Sequence, residues 1–159
     1  MKKKYFFKIL SKRCFQSIIR QLVKVLIPPL ILTFSGNIGV GKTTLIRILL
    51  KNMGIRDKVV SPTFSIVESY QNSMKNINIY HFDFYRINNI CELDNIEIMD
   101  YLLQNSVCCI EWPEVIYPFI KKYVDLNFVL SLYEWGRLLS LQCLSKKGEI
   151  IMSKLGFYL

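Results

Sequence analysis

The residues best placed to do chemistry lie in SGNIGVGKTTLIR, residues 35–47. Gly36, Gly41, Lys42 and Thr43 satisfy GxxxxGK[ST] in full, and Gly39 adds a further glycine. That spacing describes a loop that wraps phosphates. Glycines permit unusual torsions and let backbone N–H groups approach an anion with no Cβ in the way. Val40, inside the same loop, would share its contact with the nucleotide. Lys42 would bring a positive charge to the β- and γ-phosphates, and the Thr43 hydroxyl would ligate Mg²⁺. The helix expected to follow points its N-terminus at the same anion. If the glycines served only a tight turn, Lys42 would be buried at a helix start with no partner, which is costly.

A phosphate loop needs a carboxylate near the metal and a group to orient water. Glu111 closes the apolar run VCCIE, so a strand beside the loop strand would deliver it to the metal. The alternative is an ordinary strand-end acid facing solvent. Asp83, within YHFDFYR, is the second acid. Among Tyr80, Phe82, Phe84 and Tyr85 it needs a partner, and Arg86 could supply one as a purely structural ion pair. His81, the only histidine, shares a strand face with Asp83 by period-two alternation and reads as structural.

Those groups must be positioned by secondary structure. Residues 14–26 place Ile18, Ile19, Leu22, Val23, Val25 and Leu26 mostly on one helical face, ended by Pro28 and Pro29. LILTFS (30–35) reads as a buried strand of a parallel sheet. TTLIRILLKNM then runs as a helix until Gly54 stops it. Residues 59–87 read as a β-hairpin, with alternation around Phe64, Ile66 and Val67, a QNSMKN turn, and INIYHFDF returning. Asn89 to Glu92 has the spacing of a capping box, followed by a helical stripe of Leu93, Ile96, Met99, Leu102 and Leu103. VCCIE (107–111) is a second buried strand. Residues 124–144 look like two strands around a Tyr133–Gly136 turn. Strands interleaved with helices around a glycine loop predict a three-layer α/β fold with an antiparallel hairpin added.

Length and composition fit that picture. The 159 residues suffice for one good core, so residues 1–159 read as a single domain with a basic N-terminal extension over about 1–13. Hydrophobic residues make up 52% and charged ones 21%, which excludes a disordered chain. The formal net charge of +9 invites a nucleic-acid reading. Its Lys2, Lys3, Lys4, Lys8, Lys12 and Arg13, and the later pairs Lys121–Lys122 and Lys146–Lys147, are dispersed, as a solvated basic surface would be. Five cysteines form no CxxC pair, so neither disulfides nor zinc are indicated and a reducing cytosol is expected. The N-terminal MKKKYFFKILSKRCF has its apolar run broken by Lys8, Lys12 and Arg13, unlike a signal peptide. LVKVLIPPLILTF carries Lys24 and a proline pair and falls short of the roughly 20 apolar residues of a membrane span. A soluble, cytoplasmic protein is the expectation.

GNIGVGKTT, SPTFSIVESY, YHFDFYR, CELDNIEIMDYL and CCIEWPE, in that order and spacing, closely resemble the TsaE family. The likeness covers about residues 30–118. It implies a P-loop NTPase fold, with a mostly parallel central sheet and an added antiparallel hairpin, binding ATP and Mg²⁺. It also implies a Mg²⁺-dependent ATPase, weak alone, acting with two protein partners of a transferase complex. That complex places threonylcarbamoyl on the adenosine 3′ of the anticodon in tRNAs reading ANN codons. The nucleotide would act as a switch resetting the complex, with tRNA reached indirectly and no membrane involved.

By the same resemblance Gly39, Gly41, Lys42, Thr43 and Thr44 match the phosphate loop, and Thr43 and Glu111 the Mg²⁺ positions. Thr63 in SPTF matches a switch-like threonine near the γ-phosphate. Asp83 matches a water-orienting or base group. Trp112 in EWPE matches a position near nucleotide or partner, though a tryptophan after an acid is otherwise most often core. Arg137 resembles a late Gly-Arg that reaches the nucleotide. Two departures stand out: Asn37 where the family carries aspartate, and Phe15 where its N-terminal helix carries threonine. Other classes remain open at this level. A small P-loop metabolite kinase needs an arginine-bearing lid, and no tight arginine pair follows Glu111. A GTPase commonly carries NKxD, which is absent. A tRNA-binding protein acting through its basic surface is the third.

Overall fold

The computed structural model describes residues 3–93 and 98–155. Its elements run β1 (Lys4–Ile9), α1 (Lys12–Val23), β2 (Leu30–Ser35), α2 (Lys42–Asn52), β3 (Val67–Asn72), β4 (Ile77–Asp83), α3 (Ile98–Leu102), β5 (Ser106–Glu111), α4 (Tyr117–Ile120), β6 (Leu126–Tyr133), β7 (Gly136–Cys143) and α5 (Lys146–Lys154). Single 3₁₀ turns precede α3 and α4, at Ile90–Leu93 and Pro113–Val115.

All seven strands form one sheet in the order β1-β7-β6-β2-β5-β4-β3. The β2/β5, β2/β6 and β4/β5 ladders are parallel, while β1/β7, β6/β7 and β3/β4 are antiparallel. The sheet is therefore mixed, and the expected mostly parallel sheet is corrected. The physical reason lies in the connections. Short turns join β3 to β4 and β6 to β7, and a short turn can only return the chain antiparallel. The strand β1 then adds a further antiparallel edge.

That edge strand is formed by Lys4–Ile9, within the basic N-terminal extension. Tyr5, Phe7 and Ile9 lean inward while Lys4, Phe6 and Lys8 face out, a period-two pattern that the lysine runs conceal. The helix α1 consequently begins at Lys12, and its buried residues are Phe15, Ile18, Ile19 and Leu22. At its far end α2 stops as predicted. Gly54, with φ +93°, donates its N–H to Lys51 O, and Ile55 donates to Leu50 O, which together cap the last carbonyls.

The expected hairpin forms, but β3 starts only at Val67. Ile66 has φ +66°, which breaks the strand, and residues 59–65 run as a loop toward the C-terminal end of β4. Of the expected helix over residues 93–103, the described residues show α3, and Leu103 is exposed. Ile96 lies outside the described residues. Half of the capping box is present: Glu92 Oε1 accepts from the N–H groups of Asn88 and Asn89.

The core fills both faces of the sheet. Leu30, Leu32 and Phe34 of β2 pack with Leu22, Leu45, Leu49 and Met152 beneath α1, α2 and α5. Ile31, Phe82, Cys108 and Ile110 pack on the other face with Leu102, Ile116 and Ile120. Two helical layers thus sandwich one sheet, and β2 is a continuous apolar run because both of its faces are covered.

Candidate phosphate-binding site

The parallel strands β2, β4 and β5 end together, at Ser35, Asp83 and Glu111. In such sheets the crevice beyond the carboxyl ends is where ligands bind. Register places Glu111 beside Phe34 on one side and Asp83 on the other. Two acids and the glycine loop therefore meet because three strands run in parallel.

Loop residues 36–41 connect β2 to α2. Gly36 has φ +136°, and a Cβ there would lie 2.3 Å from Leu130 O, so only glycine fits. Gly41 caps α2 at φ +111° with no side chain over the helix terminus. The buried Lys42 curls back over the loop. Its Nζ donates to Gly36 O at 2.7 Å and Asn37 O at 3.0 Å and lies 3.8 Å from the Trp112 ring centroid. Burial pushes this ammonium below the ordinary lysine range, while the nearby Glu111, Asp83 and Glu114 carboxylates oppose the shift.

In the first turn of α2 the Thr43 hydroxyl donates to Glu111 Oε1 at 2.8 Å. Glu111 is buried, so the reading of a solvent-facing strand-end acid fails. From β4, His81 Nε2 lies 2.9 Å from the same Oε1. Asp83 Oδ2 accepts from Thr63 at 2.6 Å and Ser61 at 3.0 Å, and its Oδ1 accepts from Tyr85 N. The Arg86 ion pair is not formed: that guanidinium lies 3.9 Å from the Phe64 ring centroid. Trp112, in the left-handed region at φ +52°, packs on Tyr85 at 5.0 Å. A cavity of about 350 Å³ opens among Gly39, Lys42, Thr43, Thr44, Thr63, Asp83, Glu111 and Trp112.

A family model described as "Threonylcarbamoyl adenosine biosynthesis protein TsaE" matches residues 10–137. The chain belongs to the TsaE family. It is 36% identical over 119 residues to the Haemophilus influenzae protein named tRNA threonylcarbamoyladenosine biosynthesis protein TsaE, covering 75% of this chain and 73% of that protein. The Borreliella burgdorferi protein of the same name is 30% identical over 112 residues, covering 70% and 80%. In fold, the crystal structure of Bacillus subtilis YdiB superposes with a TM-score of 0.76 at 22% identity, over 98% of this chain and 95% of that one.

Most residues singled out in the TsaE motifs converge on this cavity, whereas three sit behind it. Gly36 supports Lys42 through its carbonyl, and the buried Val40 faces the core. Arg137 reaches the back of the loop, its Nε donating to Val40 O at 2.6 Å. Phe15 is buried in the core under α1, away from the cavity lining. Asn37 is exposed at the loop crest. Sequence reasoning missed Ser61, Tyr85 and Ile38 as lining residues. Ser61 carried a signal, since it stands two residues before Thr63 in SPTF and shares its acceptor.

Proposed function

We infer that this cavity binds ATP with Mg²⁺ and hydrolyses it in the service of tRNA threonylcarbamoyladenosine synthesis, the pathway that gives the TsaE family its name. The reading rests on one observation: Lys42, Thr43, Glu111 and Asp83, drawn from three separate elements, border a single cavity behind a GxxxxGKT loop. The family membership supplies the pathway, and the loop supplies the P-loop character of the fold.

Each residue then has a task. The N–H groups of the loop and of the start of α2 would cradle the phosphates. Lys42 would turn its ammonium from the loop carbonyls to the β- and γ-phosphates. Thr43 Oγ1 and Glu111 are hard oxygen donors held 2.8 Å apart, which suits Mg²⁺. Such an ion usually keeps its remaining positions for phosphates and water, and when bound it neutralises charge developing on the phosphates. Asp83, buried and fixed through Thr63, Ser61 and Tyr85 N, is placed to accept a proton from an attacking water or to orient it. Trp112 packs its ring against the Lys42 ammonium and lines the cavity.

The small size of the site suits a nucleotide switch that resets a complex of two protein partners acting on the adenosine 3′ of the anticodon in ANN-decoding tRNAs. We place that cycle in the cytoplasm. Among the described residues, no helix is long and apolar enough to cross a membrane.

Titration with a fluorescent ATP analogue and single-turnover hydrolysis with the partner proteins test this. Lys42→Ala should lose tight binding, because each charge-assisted hydrogen bond is worth about 1.5–3 kcal/mol. Asp83→Asn should keep binding within a few-fold and lose about a hundredfold in hydrolysis. Normal hydrolysis by Asp83→Asn removes its catalytic assignment. Transfer of the labelled phosphoryl group to a metabolite acceptor would replace the reading with a kinase.

A further inference from the structure

A second cavity lies away from the loop. It encloses about 850 Å³ beside the C-terminal half of α2 and the segment that follows. Arg47, Lys51, Arg56 and Lys58 line it, against one acid, Asp57. Among the described residues none of these four cations forms an ion pair; the His81–Glu111 pair lies at the loop site. Four like charges around one concavity repel, and the single carboxylate of Asp57 leaves the lining net positive, a charge that a ligand can neutralise. Arg47 spends its Nε on Val59 O at 2.9 Å, which braces the cavity wall and leaves its terminal nitrogens uncommitted among the described hydrogen bonds.

The placement also has direction. Thr43, Arg47 and Lys51 stand four residues apart on α2, one above another on a single helix face, so the cations extend the line that starts at the candidate phosphate loop. Repeated cations along a line suit a ligand with repeated anions. Met74, almost wholly exposed at the β3–β4 turn, gives the rim an apolar surface on which a sugar can rest. The two cavities share no lining residue.

We propose that this basic cavity binds the phosphodiester backbone of an RNA. The choice of RNA among polyanions rests on the tRNA pathway inferred above; the cation cluster itself does not. Contact with backbone and not with bases fits flexible lysines, which act as point charges on phosphates.

Fluorescence anisotropy of a labelled RNA hairpin with the full chain tests it. The triple variant Lys51→Glu/Arg56→Glu/Lys58→Glu should weaken RNA binding at least about tenfold at physiological salt. It should also flatten the dependence of log K on log salt by about 2 to 3. The control Lys121→Glu/Lys122→Glu/Lys146→Glu carries the same charge change away from the cavity and should weaken binding much less. Both triples should retain ATP-analogue binding, which shows that they fold and separates this outcome from failure of the nucleotide site. Equal loss in both triples overturns the proposal, as does absence of RNA binding by the unmodified chain. Displacement of RNA by polyglutamate at matched charge would assign the cavity to an acidic protein. Displacement by ATP at saturation of the loop site would place RNA in the nucleotide cavity. Either result overturns it.

Discussion

His81 Nε2 lies 2.9 Å from Glu111 Oε1, and both side chains are sealed from solvent. Oε1 also accepts the Thr43 hydroxyl, so one carboxylate oxygen is held from two directions. A ring nitrogen facing a carboxylate must carry the proton, since two lone pairs would repel. His81 Nδ1 is buried without a hydrogen-bond partner among the described residues, a cost that the Glu111 contact offsets. His81 thus orients Glu111, and the earlier reading of it as structural acquires a purpose at the site. We expect His81→Leu to lower Mg²⁺-supported nucleotide affinity about 10- to 100-fold while leaving metal-free binding within a few-fold. His81→Gln, which keeps a donor of similar reach, should recover much of the loss. Equal affinities of all three proteins with and without Mg²⁺ would show that the contact is packing alone.

Gly36 is fixed by its neighbours as well as by its torsion. Alanine there meets Leu130 O at 2.3 Å and demands φ +136°, whereas Gly39 has open space around it and φ +73°. Strain in sparsely populated torsions costs of order 1–3 kcal/mol. Gly36→Ala should lower Tm by at least about 3 °C in thermal unfolding and more than Gly39→Ala does. A reversed order would mean that the β6 backbone yields easily.

Trp112 lies over the Lys42 ammonium, so any ligand that draws Lys42 away changes the indole's surroundings. The chain has two tryptophans, and Trp135→Phe leaves Trp112 as the sole reporter. Addition of ATP and Mg²⁺ should shift its emission, and the same addition to Lys42→Ala should leave the emission unchanged. A silent Trp112 in the nucleotide-saturated protein would place Lys42 elsewhere than on the phosphates.

The cysteines divide by environment. Burial pushes the Cys108 thiol up to about 11 and raises Cys143 as well, while hydrogen bonds from Ser11 and neighbouring backbone lower Cys14. A thiol raised from 9 to about 11 holds about a hundredfold less thiolate at neutral pH. Alkylation of the folded protein should therefore label Cys14 and the exposed Cys91 and spare Cys108 and Cys143 until alkaline pH or unfolding. Rapid labelling of Cys108 at neutral pH would mean that the face under α3 opens readily.

Much of the fold was legible in the sequence where local pattern and tertiary role agree. The run LILTFS, the glycines after it and the stripe of α2 each specify their own geometry, and Gly54 ends the helix where only a left-handed residue can. The strand β1 was less legible because its inward Tyr5, Phe7 and Ile9 alternate with residues that belong to a lysine-rich run. The break at Ile66 was not legible at all, since a β-branched residue gives no local sign that it will take a left-handed torsion.

The sequence by itself determined the chemical inventory: a glycine loop with Lys42 and Thr43, an acid at the end of each of two apolar runs, and motif spacing specific to the TsaE family. Only the tertiary structure decided which of these groups touch. Parallel register sets Asp83 and Glu111 side by side across 28 positions of chain, turns His81 onto Glu111, and leaves Arg137 behind the loop. It also gathers Arg47, Lys51, Arg56 and Lys58 around one cavity. The reason is that sequence spacing fixes which face of an element a side chain occupies, whereas contact across elements depends on strand order and packing, which no local pattern encodes.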